Sequence, residues 1–122
     1  MATTKALPQY EGKFDGVAVR GPVAVGSLSD LVFLTERDTT AEAVNDIFRE
    51  EAESEQYRGV LGVSDDSIVS SDIIQDPRAS VVDLTMTMVV DGNLVKVMAW
   101  YDNEWGYTSQ MIREAKLFAS TQ

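Results

Sequence analysis

The stretch from Ser80 to Tyr101 constrains the fold of this chain more than any other. Between Ser80 and Val90, Leu84, Met86, Met88 and Val90 alternate with Asp83, Thr85 and Thr87. A period of two is that of a half-buried strand whose faces meet different surroundings. Asp91-Gly92 follows, a pair that tolerates positive φ and closes a hairpin. Leu94 to Tyr101 then returns as the partner strand, with Val95, Val97 and Ala99 on one side. An isolated hairpin is barely stable in water, so other elements must cover its apolar face. The threonine face is open to cover by another sheet or subunit, which the pattern does not decide.

The flanking segments offer that cover. From Lys13 to Val23, Val17 and Val19 alternate with Gly16, Ala18 and Arg20, as in a strand, until Gly21-Pro22 breaks it. Ser27 to Glu36 reads as a second strand, with Gly26 in the connection, so the two are placed to pair as neighbours. Thr39-Thr40-Ala41-Glu42 matches a capping box, with Thr39 accepting from the Glu42 backbone and Glu42 reaching back. Val44, Ile47, Phe48 and Ala52 follow at helical spacing, opposite a wet face of Glu42, Asp46, Arg49, Glu50 and Glu53, which predicts a helix over 40–55. Gly59 to Asp65 is a short strand. Residues 65–80, punctuated by Asp, Ser and Pro77, are mostly loop, and Ser70-Ser71-Asp72 within them is more simply turn chemistry than a binding cluster. Met111, Ile112, Ala115, Phe118 and Ala119 mark a helix from near Asn103 to Ala119. The order β-β-α-β-β-β-α implies an α+β fold: a largely antiparallel, mixed sheet with helices packed on one face, in one domain of residues 1–122.

The sequence also narrows the chemistry. A net charge of −10 argues against nucleic acid and against an anionic membrane as partner. No apolar run approaches the ~20 residues of a membrane helix, and the start MATTKALPQ lacks a signal-peptide core, so a cytoplasmic location is expected. There is no cysteine and no histidine. Thiol nucleophiles, histidine bases and histidine-ligated metals are excluded, and no metal site is expected. The 20 acidic residues make carboxylate pairs easy to find, and nothing singles one out for glycosidase-like work.

One motif remains unexplained by folding alone. WYDNEWGY, Trp100 to Tyr107, holds both tryptophans where a strand passes into a helix. Asp102 or Asn103 suits the N-cap of that helix. Capping accounts for the polar residues but not for the aromatics on either side.

WYDNEWGY, preceded by LVKVMA and followed by an amphipathic helix, resembles the C-terminal signature of phosphorylating glyceraldehyde-3-phosphate dehydrogenase. LPQYEGKFDGVAVRGPV, DTTAEAVNDIF, GVLGVSDDSIVSSD and DLTMTMVVDGNLVKVMAWYDNEWGY are similar to that family in the same order, from about Lys5 to Ala119. The resemblance implies the second part of a catalytic domain. The complete enzyme would oxidise a phosphorylated sugar aldehyde, with NAD or NADP and inorganic phosphate, to an acyl phosphate. It further implies that Asn103 hydrogen-bonds the nicotinamide carboxamide, that Tyr107 lies beside it, and that Arg20 binds phosphate of the substrate or the attacking phosphate. The family pattern has a small apolar residue where Gly21 stands. It also implies an amino-terminal dinucleotide-binding portion, a cysteine nucleophile and a histidine base, none of which is among these 122 residues. The expectation is a fragment without catalytic residues of its own, inactive alone and binding no cofactor tightly, whose partners are the missing portion and further copies in a homo-oligomer. The alternative is a stand-alone binding or oligomerisation module derived from that domain.

Overall fold

A computed structural model describes residues 5–121. Its centre is the hairpin of β3, Ser80–Val90, and β4, Leu94–Tyr101. Asp91 and Gly92 take φ of 52° and 77°, the positive values the turn requires. β1, Ser27–Leu34, pairs antiparallel with β4, Leu31 standing opposite Val97. β2, Leu61–Ser64, lies parallel to β3. The sheet order is β1-β4-β3-β2. With the helices α1, Ala41–Glu53, and α2, Trp105–Ser120, this is the α+β mixed-sheet architecture that the pattern implied.

The core lies on one face of the sheet. Val82, Leu84, Val95, Val97 and Ala99 are buried there, and α1 lays Val44 and Phe48 against them. Burying one such side chain contributes roughly 1.5–3 kcal/mol. Asn45 of α1 donates to the Leu84 carbonyl at 3.0 Å, fixing the helix along the strand. The helix begins one residue later than its capping pattern suggests. Thr40, not Thr39, is the N-cap, its hydroxyl accepting from Ala43 N at 3.1 Å. Thr39 instead donates its N–H to the Gly92 carbonyl at 2.7 Å, docking the loop on the hairpin. That tertiary bond decides between two adjacent threonines of equal local merit.

Two further expectations are corrected. Residues 13–23 form no strand, and Val17 and Val19 are 89% and 87% exposed. A strand needs a neighbour for its backbone groups and a surface for its apolar face. No strand of the described residues pairs with this segment; β1 pairs with β4 and is itself the edge strand of the sheet. The element order is therefore β-α-β-β-β-α.

The alternation in β3 also fails to stay in phase. Asp83 stands opposite Met98 but Met88 stands opposite Lys96, so Leu84–Thr87 faces Val97 alone. The Asp83 carboxylate accepts from Thr85 N at 3.1 Å and from Thr85 Oγ1 at 2.6 Å, a local bond that competes with the ladder. An odd step on one strand against an even step on the other exchanges the faces. Leu84 and Thr87 are buried, whereas Met86, Met88 and Val90 turn outward. They reach an open sheet face that also exposes Leu28, Val32 and Leu94, crossed by a Lys96–Asp30 ion pair at 3.0 Å.

α2 leaves most of its apolar side chains in solvent, Met111, Ile112, Leu117 and Phe118 among them. Its buried residue is Gly106. Gln110 donates to the Pro77 carbonyl at 2.8 Å and Arg113 to the Arg58 carbonyl at 3.3 Å, so the helix is held against loops at the end of the sheet. No helix among the described residues is long and apolar enough to cross a membrane.

Candidate functional site

WYDNEWGY spans the last residues of β4 and the first turn of α2. Asp102, 3% exposed, is the residue that joins them. Its Oδ1 accepts from Glu104 N at 2.9 Å and Trp105 N at 2.8 Å, while its own carbonyl accepts from Gly106 N at 3.1 Å. Of the two candidate caps, then, Asp102 does the capping. Its Oδ2 accepts from the backbone N–H of Gln75 at 2.9 Å, across 27 residues of chain. The N–H groups of Trp105, Gln75 and Glu104 hold the Asp102 carboxyl below the usual carboxylate range, and burial opposes them. Three N–H donors on one carboxylate outweigh the desolvation that burial imposes.

The loop tied to Asp102 is itself constrained. Gln75 has φ 63°, an unusual value for a residue with a side chain. Arg78 forks onto Asp76, Nε to Oδ1 at 2.9 Å and Nη2 to Oδ2 at 2.5 Å. That Arg78 hydrogen bond is the main reason the Asp76 carboxyl is held below its ordinary value. Gly106 fits beneath the loop because it has no side chain. A Cβ there would stand 2.6 Å from the Arg78 carbonyl oxygen and 3.3 Å from that of Asp76.

Next to this junction is a recess of about 180 Å³, lined by Ala79, Tyr101, Asp102, Asn103, Tyr107 and Gln110. Asn103 is exposed, and none of the hydrogen bonds knitting the turn uses its side-chain amide. Such an amide can donate and accept at once. Tyr107, 71% exposed, adds a flat aromatic wall with a hydroxyl. Small-molecule sites usually enclose roughly 300–1,000 Å³, so the recess offers one wall of a site and needs an opposing surface. A larger groove of about 650 Å³ lies among β1, β4, α1 and the loop 35–39, with Phe33, Val44, Ile47, Phe48, Val95 and Val97 as its apolar lining. Its floor is apolar and it includes none of the candidate residues.

The structure thus brings Asn103 and Tyr107 onto one recess but does not bring Arg20 there. Arg20 lies exposed in the irregular segment before β1. It forms no ion pair among the described residues. Sequence reasoning missed Gln75, Ala79, Gly106 and Gln110. Gly106 alone carried a signal, a glycine inside a helix start where propensity disfavours it.

A family model described as "Glyceraldehyde 3-phosphate dehydrogenase, C-terminal domain" matches residues 1–103. The chain is 45% identical over 111 residues to a glyceraldehyde-3-phosphate dehydrogenase of Streptomyces coelicolor, covering 91% of this chain and 33% of the relative. It is 42% identical over 120 residues to that of Zymomonas mobilis, covering 98% and 36%. It is 45% identical over 111 residues to glyceraldehyde-3-phosphate dehydrogenase 2 of Bacillus subtilis, covering 91% and 32%. The chain therefore spans about a third of the length of these relatives. Such a match over most of its residues means that the chain belongs to the glyceraldehyde 3-phosphate dehydrogenase family, in the part that forms its C-terminal domain.

Proposed function

We propose that this chain supplies one wall of the nicotinamide site of a phosphorylating glyceraldehyde-3-phosphate dehydrogenase and performs no catalysis by itself. The observation that carries the reading is the recess that Asn103 and Tyr107 line together. When bound, NAD or NADP would supply a ring that accepts hydride. Asn103 would read the carboxamide on that ring, donating to its oxygen and accepting from its nitrogen. Tyr107 would limit water on that side. Arg20 would bind phosphate of the substrate or the attacking phosphate; its guanidinium has no carboxylate partner among the described residues, and it is a local cation in a chain of net charge −10. The nucleophile and the base would come from an amino-terminal portion, since the chain has no cysteine and no histidine.

The test is complementation. Pure chain with glyceraldehyde 3-phosphate, NAD and phosphate is expected to give no NADH. Mixed with the amino-terminal two thirds of the Streptomyces coelicolor relative, it is expected to give turnover. Asn103→Ala should then raise KM for NAD at least tenfold, and Arg20→Ala should raise KM for the phosphorylated substrate by a similar factor. NADH formation by the chain alone, or an unchanged KM for NAD in Asn103→Ala, would sink the reading.

A second reading, an assembly module, is favoured by the open sheet face with Leu28, Val32, Met88, Val90 and Leu94 exposed. On that reading, light scattering behind size-exclusion would show a dimer or larger species that Val32→Lys dissociates. A strict monomer at every concentration argues against it.

A further inference from the structure

We propose that Asp102 is the positioning residue of this wall: its two carboxylate oxygens tie the Gln75 loop to the first turn of α2, and that tie sets the direction in which Asn103 is presented. This rests on the reading that Asn103 faces nicotinamide. Capping a helix needs one oxygen, and Oδ1 already serves Glu104 N and Trp105 N. Oδ2 is directed to Gln75 N, 27 residues away and outside the helix. Gln75 is held at φ 63° there, a strained conformation that persists only where its surroundings impose it. The close fit of Gly106 under the Arg78 and Asp76 carbonyls and the Gln110–Pro77 bond join the same two segments. Asn103 lies between Asp102 and Glu104, whose backbones are fixed by this junction, while its own amide takes no part in it. A fixed backbone sets the Cα–Cβ direction of Asn103 and so restricts its amide to the few staggered rotamers that leave from there. The charged and titratable groups around the carboxylate are Asp76 and Arg78 of the loop, Tyr101 of β4, and Glu104 and Tyr107 at the start of α2.

Asp102→Asn separates the tie from the cap. An asparagine oxygen still caps well, but its NH2 group cannot accept from Gln75. In the full 122-residue chain followed by NMR, Asp102→Asn is expected to speed exchange of the Gln75 amide at least tenfold. The Glu104 and Trp105 amides should change less than threefold, and the Asn103 side-chain signals should shift. In the unaltered chain, the Gln75 amide and the Asn103 side-chain signals should titrate together with one midpoint below the ordinary aspartate range. The sign follows from the lowered Asp102 carboxyl: the tie is complete above that range and is lost as pH falls through the lowered value. This titration needs no variant, so it decides the matter if Asp102→Asn fails to fold. Millimolar NAD should perturb the Asn103 side chain in the unaltered chain and do so several-fold less in Asp102→Asn. Asn103 signals that ignore both the substitution and the titration would overturn the tie. NAD that perturbs nothing in the unaltered chain, while Asn103 follows Asp102, would overturn the cofactor reading and leave the tie standing.

Discussion

Gly106→Ala is expected to destabilise this protein by about 1–3 kcal/mol, opposite in sign to what the same change does in an ordinary helix. In an open helix interior, alanine would gain about 1 kcal/mol over glycine through backbone entropy. Here the added Cβ would stand 2.6 Å from the Arg78 carbonyl oxygen, which belongs to backbone and cannot rotate away. The loop or the helix must move, and the contacts of Asp102 with Gln75 and of Gln110 with Pro77 loosen with it. Thr108→Ala, at an exposed position of the same helix, should instead gain a few tenths of a kcal/mol. Urea unfolding of the two variants beside the parent checks the pair. A stabilised Gly106→Ala would show that α2 does not press on the loop.

Val97→Ala is expected to cost about 2–3 kcal/mol. Val97 is 1% exposed at the middle of the core cluster. It faces Leu31 of β1 on one side and the irregular stretch Leu84–Thr87 of β3 on the other. Leu31 is paired with it and Leu84, Val95 and Ala99 belong to the same buried cluster, so collapse into the vacated volume is limited and most of the cavity cost remains. Small domains have total stabilities of roughly 5–15 kcal/mol, so the urea midpoint should fall substantially at unchanged slope. Val32→Ala, 59% exposed on the open face of β1, should stay within about 0.5 kcal/mol of the parent. Equal losses at the two positions would mean that the open face is covered in solution.

The elements that could be read ahead of the structure were those whose signals are local. The hairpin at Asp91-Gly92, the helix with Val44 and Phe48 on one face, and the helix after Asp102 all rest on period, turn chemistry or capping within a few residues. Three readings went wrong where the outcome turns on pairing or register, which the local pattern does not fix. Residues 13–23 carry a strand pattern but pair with no strand of the described residues, although β1, the neighbour the order suggested, is itself an edge strand. Thr40 outranks Thr39 because Gly92, across the fold, engages Thr39 N. Met86, Met88 and Val90 face outward because Asp83 and Thr85 break the ladder and invert the phase. The last had a faint local signal in Asp83-Leu84-Thr85, an acid placed to bond its own backbone two residues on.

The candidate site divides along the same line. The sequence alone determined that Asn103 and Tyr107 sit at a strand-to-helix junction, because a period of two stops at Tyr101 and an acid able to cap follows. It also determined that no thiol or imidazole is present to do chemistry. Only the tertiary structure decided that Asp102 reaches back to Gln75, that Gly106 lies under the Arg78 carbonyl, and that Ala79 and Gln110 complete the recess. The physical reason is range. Capping and periodicity act over three or four residues and are written in the chain, whereas a bond spanning 27 residues exists only once β3 and β4 have brought its two ends together.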